Sequence, residues 1–302
     1  MELVARPAPA VSLPVLVGGA LTTVLTLMVS YWLSVRFGFN AMGLYGWYVL
    51  PIGAFLVGLL AGSGYGIVSW GTGFRIGRNT LWIVLALQIL AYAGAQVAEY
   101  QALASTGMPL PAFGPYFDVI TRDIRFEDDE GVVGQPLGAW GYGVRGLELL
   151  GFVGGALLIP TGIRSKPYCE TCGRYMKTRQ LGMLPASVKE RRMWRKPDDE
   201  KAAYAADQET AFAQGQTVHD GLFALAGAGN APAFADAVRL MKDSTKDAGK
   251  LPTRLVVHLS ACPTCRLGML SSQVMRVQGR HVSTSFLASA PVAPEVVRAL
   301  DP

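Results

Sequence analysis

Four long apolar runs constrain this chain more than any other feature: Val11 to Val35, Trp47 to Trp70, Thr80 to Glu99 and Trp140 to Ile163. Each reaches about twenty residues or more, the length an α-helix needs to cross about 30 Å of hydrocarbon. Backbone in lipid must satisfy its own hydrogen bonds, so the runs predict a membrane all-α four-helix bundle over residues 1–163. Tyr31, Trp32, Trp47, Tyr48, Trp70, Trp82, Tyr100, Trp140 and Tyr142 fall at the ends of the runs, where amphipathic rings settle among lipid headgroups. Composition agrees, with 51% hydrophobic and only 16% charged residues. The opening MELVARPAPAVSLP has no strongly basic start and leads into a stretch too long for a cleaved leader, so the first run is expected to remain as a helix.

Charge sets the expected orientation. The loop GTGFRIGRN carries Arg75 and Arg78 and no acid, whereas the loop 101–138 carries Asp118, Asp123, Glu127, Asp128, Asp129 and Glu130 against Arg122 and Arg125. From Ile163 to Lys196 there are ten Lys or Arg and two acids. Basic residues stay on the cytoplasmic side, which predicts a multi-pass protein of the cell (inner) membrane with the N-terminus, the loop 71–79 and residues 164–302 in the cytoplasm and the loop 101–138 outside. Arg36, assigned to the short first external loop, is the one dissenter.

All four cysteines lie in the part read as cytoplasmic, as Cys169 and Cys172 in KPYCETCGRYMKTR and Cys262 and Cys265 in SACPTCRLG. Lasting disulfides are rare in a reducing compartment. A membrane thiol oxidase would need cysteines in its outer loops or its bundle, and none is there. Metal binding is the favoured chemistry, because each C-x-x-C turn brings two thiolates onto one ion and two turns complete a tetrahedron. Gly173 after Cys172 supplies a left-handed residue, and Pro263 after Cys262 stiffens the second turn.

At these residues the chain resembles the zinc ribbon, whose knuckles read C-x-x-C-G and C-P-x-C. The resemblance is confined to the knuckles and their flanking strand, and it implies Cys169, Cys172, Cys262 and Cys265 as ligands of Zn. The first knuckle, YCETCGRY, also looks like that of rubredoxin, which holds Fe; the missing short acidic, aromatic-rich spacing favours zinc. Two departures stand out. Here 89 residues separate Cys172 from Cys262, against about fifteen to twenty in a usual ribbon, and Arg266 stands where many knuckles place Gly.

Around the second knuckle, TRLVVHLSA alternates Leu255, Val257 and Leu259 with Val256, His258 and Ser260, and SSQVMRVQGRHVSTSFL reads as a hairpin turning at Gln278-Gly279. The result is an antiparallel sheet from about 253 to 288, with APEVVRAL as a closing helix. His258 and His281 are strand positions, not ligands. Between the knuckles a helical insertion is expected over about 187–250. It comprises DDEKAAYAADQETAFAQ, a segment with Val218, Leu222 and Leu225 facing the core, and one with Phe234, Ala237, Val238 and Met241, folding on each other as a hairpin. The predicted fold is therefore the bundle plus a cytoplasmic α+β zinc-ribbon-like domain over 164–302 with a helical insertion.

KERRMWRK offers Lys189, Arg191, Arg192, Arg195 and Lys196 to an anionic leaflet, at about 1 kcal/mol per charge, in preference to nucleic acid. Within the spans, Gly58, Gly62 and Gly66 and then Gly151 and Gly155 have small-xxx-small spacing for close helix contact. Gln88, Tyr92, Gln96 and Glu99 share a stripe, and Arg145 is expected to pair with Glu99 or Glu148. FDVITRDIRF is expected to be an amphipathic segment on the outer face, and the acids Glu127 to Glu130 a solvated turn. GTGFRIG lacks the spacing of a nucleotide loop. No haem-type His pair, H-E-x-x-H motif or Ser-His-Asp arrangement points to an enzyme. Three function classes remain: a zinc-bearing structural or interaction protein acting as accessory subunit or scaffold of a membrane complex, a redox protein using iron or thiols, and a small oligomeric transporter.

Overall fold

The computed structural model describes residues 12–37, 39–46, 50–105, 109–126, 133–191, 193–279 and 281–300. Val11, Trp47, Tyr48, the acids Glu127 to Glu130 and Arg192, all invoked above, lie outside the described residues. The chain divides after Lys166 into two compact units.

In the first unit, α1 (Leu13–Phe37), α2 (Ile52–Thr72), α3 (Arg78–Ser105) and α5 (Trp140–Arg164) are long and apolar enough to cross a membrane, and a short α4 (Phe113–Arg122) precedes α5. Even the shortest of the four, α2 with 21 residues, reaches about 32 Å at 1.5 Å per residue. Their outward side chains are apolar: Leu21, Leu25 and Met28 of α1, Leu60 and Ile67 of α2, Leu90 of α3 and Leu150 of α5 are all exposed. A contiguous surface of this kind suits hydrocarbon. Arg36 stands in the last turn of α1 and not in a loop, where its charge complements the helix C-terminus. The amphipathic segment begins earlier than FDVITRDIRF and stops at Arg122, short of Arg125.

The second helix is the centre of this unit, packed between α1 and α5. Glycine makes that possible: a Cβ on Gly58 would lie 1.9 Å from the Phe152 carbonyl oxygen, and one on Gly62 would lie 2.0 Å from that of Ala156. Pro160, four residues beyond Ala156 inside α5, has no N–H, so the Ala156 carbonyl loses its helical donor. The glycine backbone packs onto that carbonyl instead, a contact of the Cα–H···O kind. Polar side chains tie the remaining helices. Thr23 of α1 donates to the Ala61 carbonyl at 3.1 Å and accepts from Gln88 Nε2 of α3 at 2.9 Å. Arg145 pairs with Glu148 at 2.8 Å, in preference to Glu99, because i,i+3 spacing puts both on one face of α5.

The second unit is mixed. A short hairpin of two-residue strands, β1 (Tyr168–Cys169) and β2 (Arg174–Tyr175), leads into β3 (Lys177–Pro185), then α6 (Asp198–Gly227), α7 (Ala231–Ala248), β4 (Thr253–Ala261), β5 (Gly268–Gln278), β6 (His281–Val292) and α8 (Pro294–Ala299). Strands β3 to β6 form one antiparallel sheet in chain order, and Gly279 turns β5 into β6 with φ of 59°. Leu255, Val257 and Leu259 share a core with Leu181, Leu184, Leu222, Phe234, Val238, Met241, Leu270, Val296 and Val297. The predicted alternation of β4 thus buries its named face.

Two expectations on the insertion change. Its first two segments join into the single helix α6, in which Val218 is exposed and Gly215, His219 and Leu222 face inward. The pair does not fold on itself alone: Phe234, Val238 and Met241 of α7 go into the core shared with the sheet. An isolated helical hairpin would leave the inner sheet face in water, so burial of both together is the lower free-energy solution. Strand β3 was hidden by the polar run Lys177 to Gln180, which lies exposed while only Leu181, Gly182 and Leu184 turn inward.

Candidate metal centre

The register of β3 on β4 explains how cysteines with 89 residues between them converge. Lys177, just beyond the first knuckle, pairs with Ala261, just before the second, while Pro185 pairs with Arg254 at the opposite end. The helices α6 and α7 leave from that opposite end and return to it. The long insertion therefore costs the cysteine pairs nothing in proximity.

Both knuckles close in the same way. In the first, Cys169 ends β1, the Gly173 N–H donates to the Cys169 carbonyl at 2.9 Å, and Gly173 has φ of 62°. In the second, the Arg266 N–H donates to the Cys262 carbonyl at 3.1 Å, the Cys262 N–H donates to the Leu267 carbonyl at 2.9 Å, and Arg266 also has φ of 62°. The place expected to be filled by Gly is thus occupied by Arg in the conformation that favours Gly.

The four Sγ atoms lie within 4.8 Å of one another, and Cys169 and Cys265 are 3.6 Å apart across the two knuckles. All four are free thiols. A disulfide would need about 2.0 Å between sulfurs, whereas a tetrahedral ion with metal–sulfur bonds of about 2.3 Å spaces its thiolates at about 3.8 Å. The cluster therefore fits a metal such as zinc in number, donor softness and spacing. Cys169 and Cys262 are buried, and Cys172 and Cys265 are half-buried.

Proton affinities in the cluster are uneven. Burial raises the Cys169 thiol, and the hydrogen bond with Cys265, burial and Cys262 push Cys172 up to about 12. At Cys262 burial also acts upward, but backbone N–H donors from Cys265 and Thr264, with the thiols of Cys265 and Cys169, outweigh it and bring the group down to about 7. Cys169 and Cys172 thus hold their protons more tightly than an ordinary thiol, and Cys262 releases its proton more readily. A bound cation replaces those protons.

Other singled-out residues stay apart from the cluster. His258 is half-buried on β4, where burial holds its imidazole below the ordinary value, and His281 is exposed at the start of β6. Trp194 is exposed with the Arg195 guanidinium 4.5 Å from its ring centre, while Lys196 pairs with Glu200 at 3.1 Å in the first turn of α6. That turn's acids offset part of the basic run.

Sequence reasoning overlooked His219. Its Nδ1 lies 2.8 Å from Asp220 Oδ1 and its Nε2 lies 2.7 Å from Ser272 Oγ, a Ser-His-Asp arrangement not foreseen, since the serine comes 53 positions later on β5. Ser272 is fully buried, so its hydroxyl cannot meet a substrate. The chain of bonds fastens α6 to β5. Tyr45 was also missed; its hydroxyl donates to Glu148 at 2.7 Å from a loop with no local signal for such a role.

No family model matches the chain, and no curated protein or solved structure matches it either.

Proposed function

We propose that this chain is an integral membrane protein whose second unit is a zinc-ribbon-like module, holding one zinc ion through Cys169, Cys172, Cys262 and Cys265 and serving as a structural and docking element of a larger membrane assembly. The observation that carries this is the convergence of four thiols from two like-shaped knuckles within 4.8 Å. Zinc has no redox chemistry of its own, and four thiolates leave it no open position for a substrate, which favours a structural role over a catalytic one. The run of Lys and Arg after α5 favours a cytoplasmic location for this unit, where thiols stay reduced and available to metal. An exposed Trp194 flanked by Arg191 and Arg195 is suited to an anionic lipid surface.

Peptide-resolved thiol labelling of native membranes tests this. The expected result is protection of all four cysteines until a zinc chelator is added, and labelling of all four afterwards. Free reaction without chelator would contradict a bound ion. A reporter fused after Pro302 checks the orientation and should be active only inside the cell; activity only outside would overturn it.

A further inference from the structure

The first unit buries more polar chemistry than helix packing requires. Gln88, Tyr92 and Gln96 follow one another at single-turn intervals on α3, and all three are buried. Tyr92 meets Glu148 of α5 at 3.1 Å, where the carboxylate is already well served: Tyr45 donates to Oε1, and Tyr92 and Arg145 donate to Oε2. Four buried atoms of this unit are left over: Gln88 Oε1, one turn before Tyr92, and three others. Gln96 Oε1 lies one turn beyond Tyr92, Arg145 Nε lies on the facing helix, and Thr121 Oγ1 lies at the end of α4; none finds a hydrogen-bond partner among the described residues. Thr121 belongs to the same end of the bundle, because its carbonyl abuts Gly141, one turn before Arg145.

Buried polar groups are costly to leave without a hydrogen bond. The three others are also of unlike type: the Arg145 Nε–H only donates, the Gln96 oxygen only accepts, and the Thr121 hydroxyl does either. A small molecule that both donates and accepts suits each of them, and buried water occupies polar sites of this kind. We propose that the Thr121, Gln96 and Arg145 end of this unit is a water-binding site that hydrates the buried Glu148 ion pair. Ionisable residues within a span characteristically face such wet interiors.

Hydroxyl-radical labelling of the wild-type protein in lipid nanodiscs, with oxygen-18 water, reads this directly. Tyr92 and Phe152 have ring centres 6.0 Å apart and are both buried, so general opening of the bundle exposes the two together. The site predicts oxygen-18 incorporation at Tyr92 with none at Phe152, and loss of the Tyr92 signal in Gln96→Leu. A wild-type Tyr92 as inert as Phe152 would overturn the site, and so would equal labelling of Tyr92 in the variant. Thermal unfolding supplies the second reading: with water present, Gln96→Leu lowers the melting temperature, whereas in a dry bundle it removes an unpaired oxygen and raises it. If Gln96→Leu does not fold, the wild-type comparison decides.

Discussion

Gly173 and Arg266 hold the same left-handed conformation at matching places in the two knuckles, yet a Cβ is tolerated there only at a cost. For a residue with a side chain that cost is about 1–2 kcal/mol. Gly173→Ala should therefore lower the stability of the second unit by about 1–2 kcal/mol, whereas Arg266→Gly should leave it unchanged or raise it, as thermal unfolding of the metal-loaded protein would show. The cysteine spacing made the cluster legible at this scale, because C-x-x-C is itself a geometric statement. The second left-handed position was not legible, since Arg carries no sign of the conformation it has been placed in. Acidity gives a further test. Cys262 is brought down to about 7 from the ordinary thiol range, so above that pH it offers a thiolate without loss of a proton, and below it protons compete with the ion. Because Cys169 and Cys172 must also give up protons, zinc affinity should fall throughout from pH 8 to pH 6, and more steeply once Cys262 is protonated as well, as competition against a chelator would show. A slope that does not change near pH 7 would mean that Cys262 does not ligate.

Helices α2 and α5 approach closely enough that their glycines are a condition of the contact, and the spacing of Gly58, Gly62 and Gly155 announced this in the sequence. Gly62→Leu should drive α2 away from α5 and cost about 1–3 kcal/mol or more, read as a lower melting temperature in detergent. Gly154→Leu is the control, since nothing lies within 4 Å of a Cβ there; an equal loss in both would show that the α2–α5 contact does not depend on glycine at this place. Other elements were legible in part. The alternation of β4 and the hairpin of β5 with β6 follow directly from period-two patterning, but β3 begins with four exposed polar residues and shows its inward side chains only after them. In α6 an inward glycine and histidine replace apolar residues, so the core-facing stripe is broken in the sequence and Val218, expected inward, faces out. Neither the His219–Ser272 contact nor the Tyr45–Glu148 contact has a local signature, because each joins residues far apart in the chain.

At the scale of the whole molecule, four apolar helices and a small mixed unit with four close cysteines follow one another along the chain. The sheet register gives the long separation between the two cysteine pairs a simple physical meaning: the insertion is carried at the end of β3 and β4 away from the knuckles, where it enlarges the core of an otherwise small unit. A core so enlarged can hold its fold with little help from a metal, and an ion bound by the cysteines would fix the knuckle end. The central claim is that these four thiols bind one zinc ion together. Elemental analysis of the purified full-length protein tests it most directly. One zinc per chain is predicted for the wild type, with loss of the metal in the Cys169→Ser, Cys262→Ser double variant; a colourless protein is expected, and a red one would indicate iron. Wild-type protein without bound metal, or a double variant that keeps its zinc, would contradict the assignment.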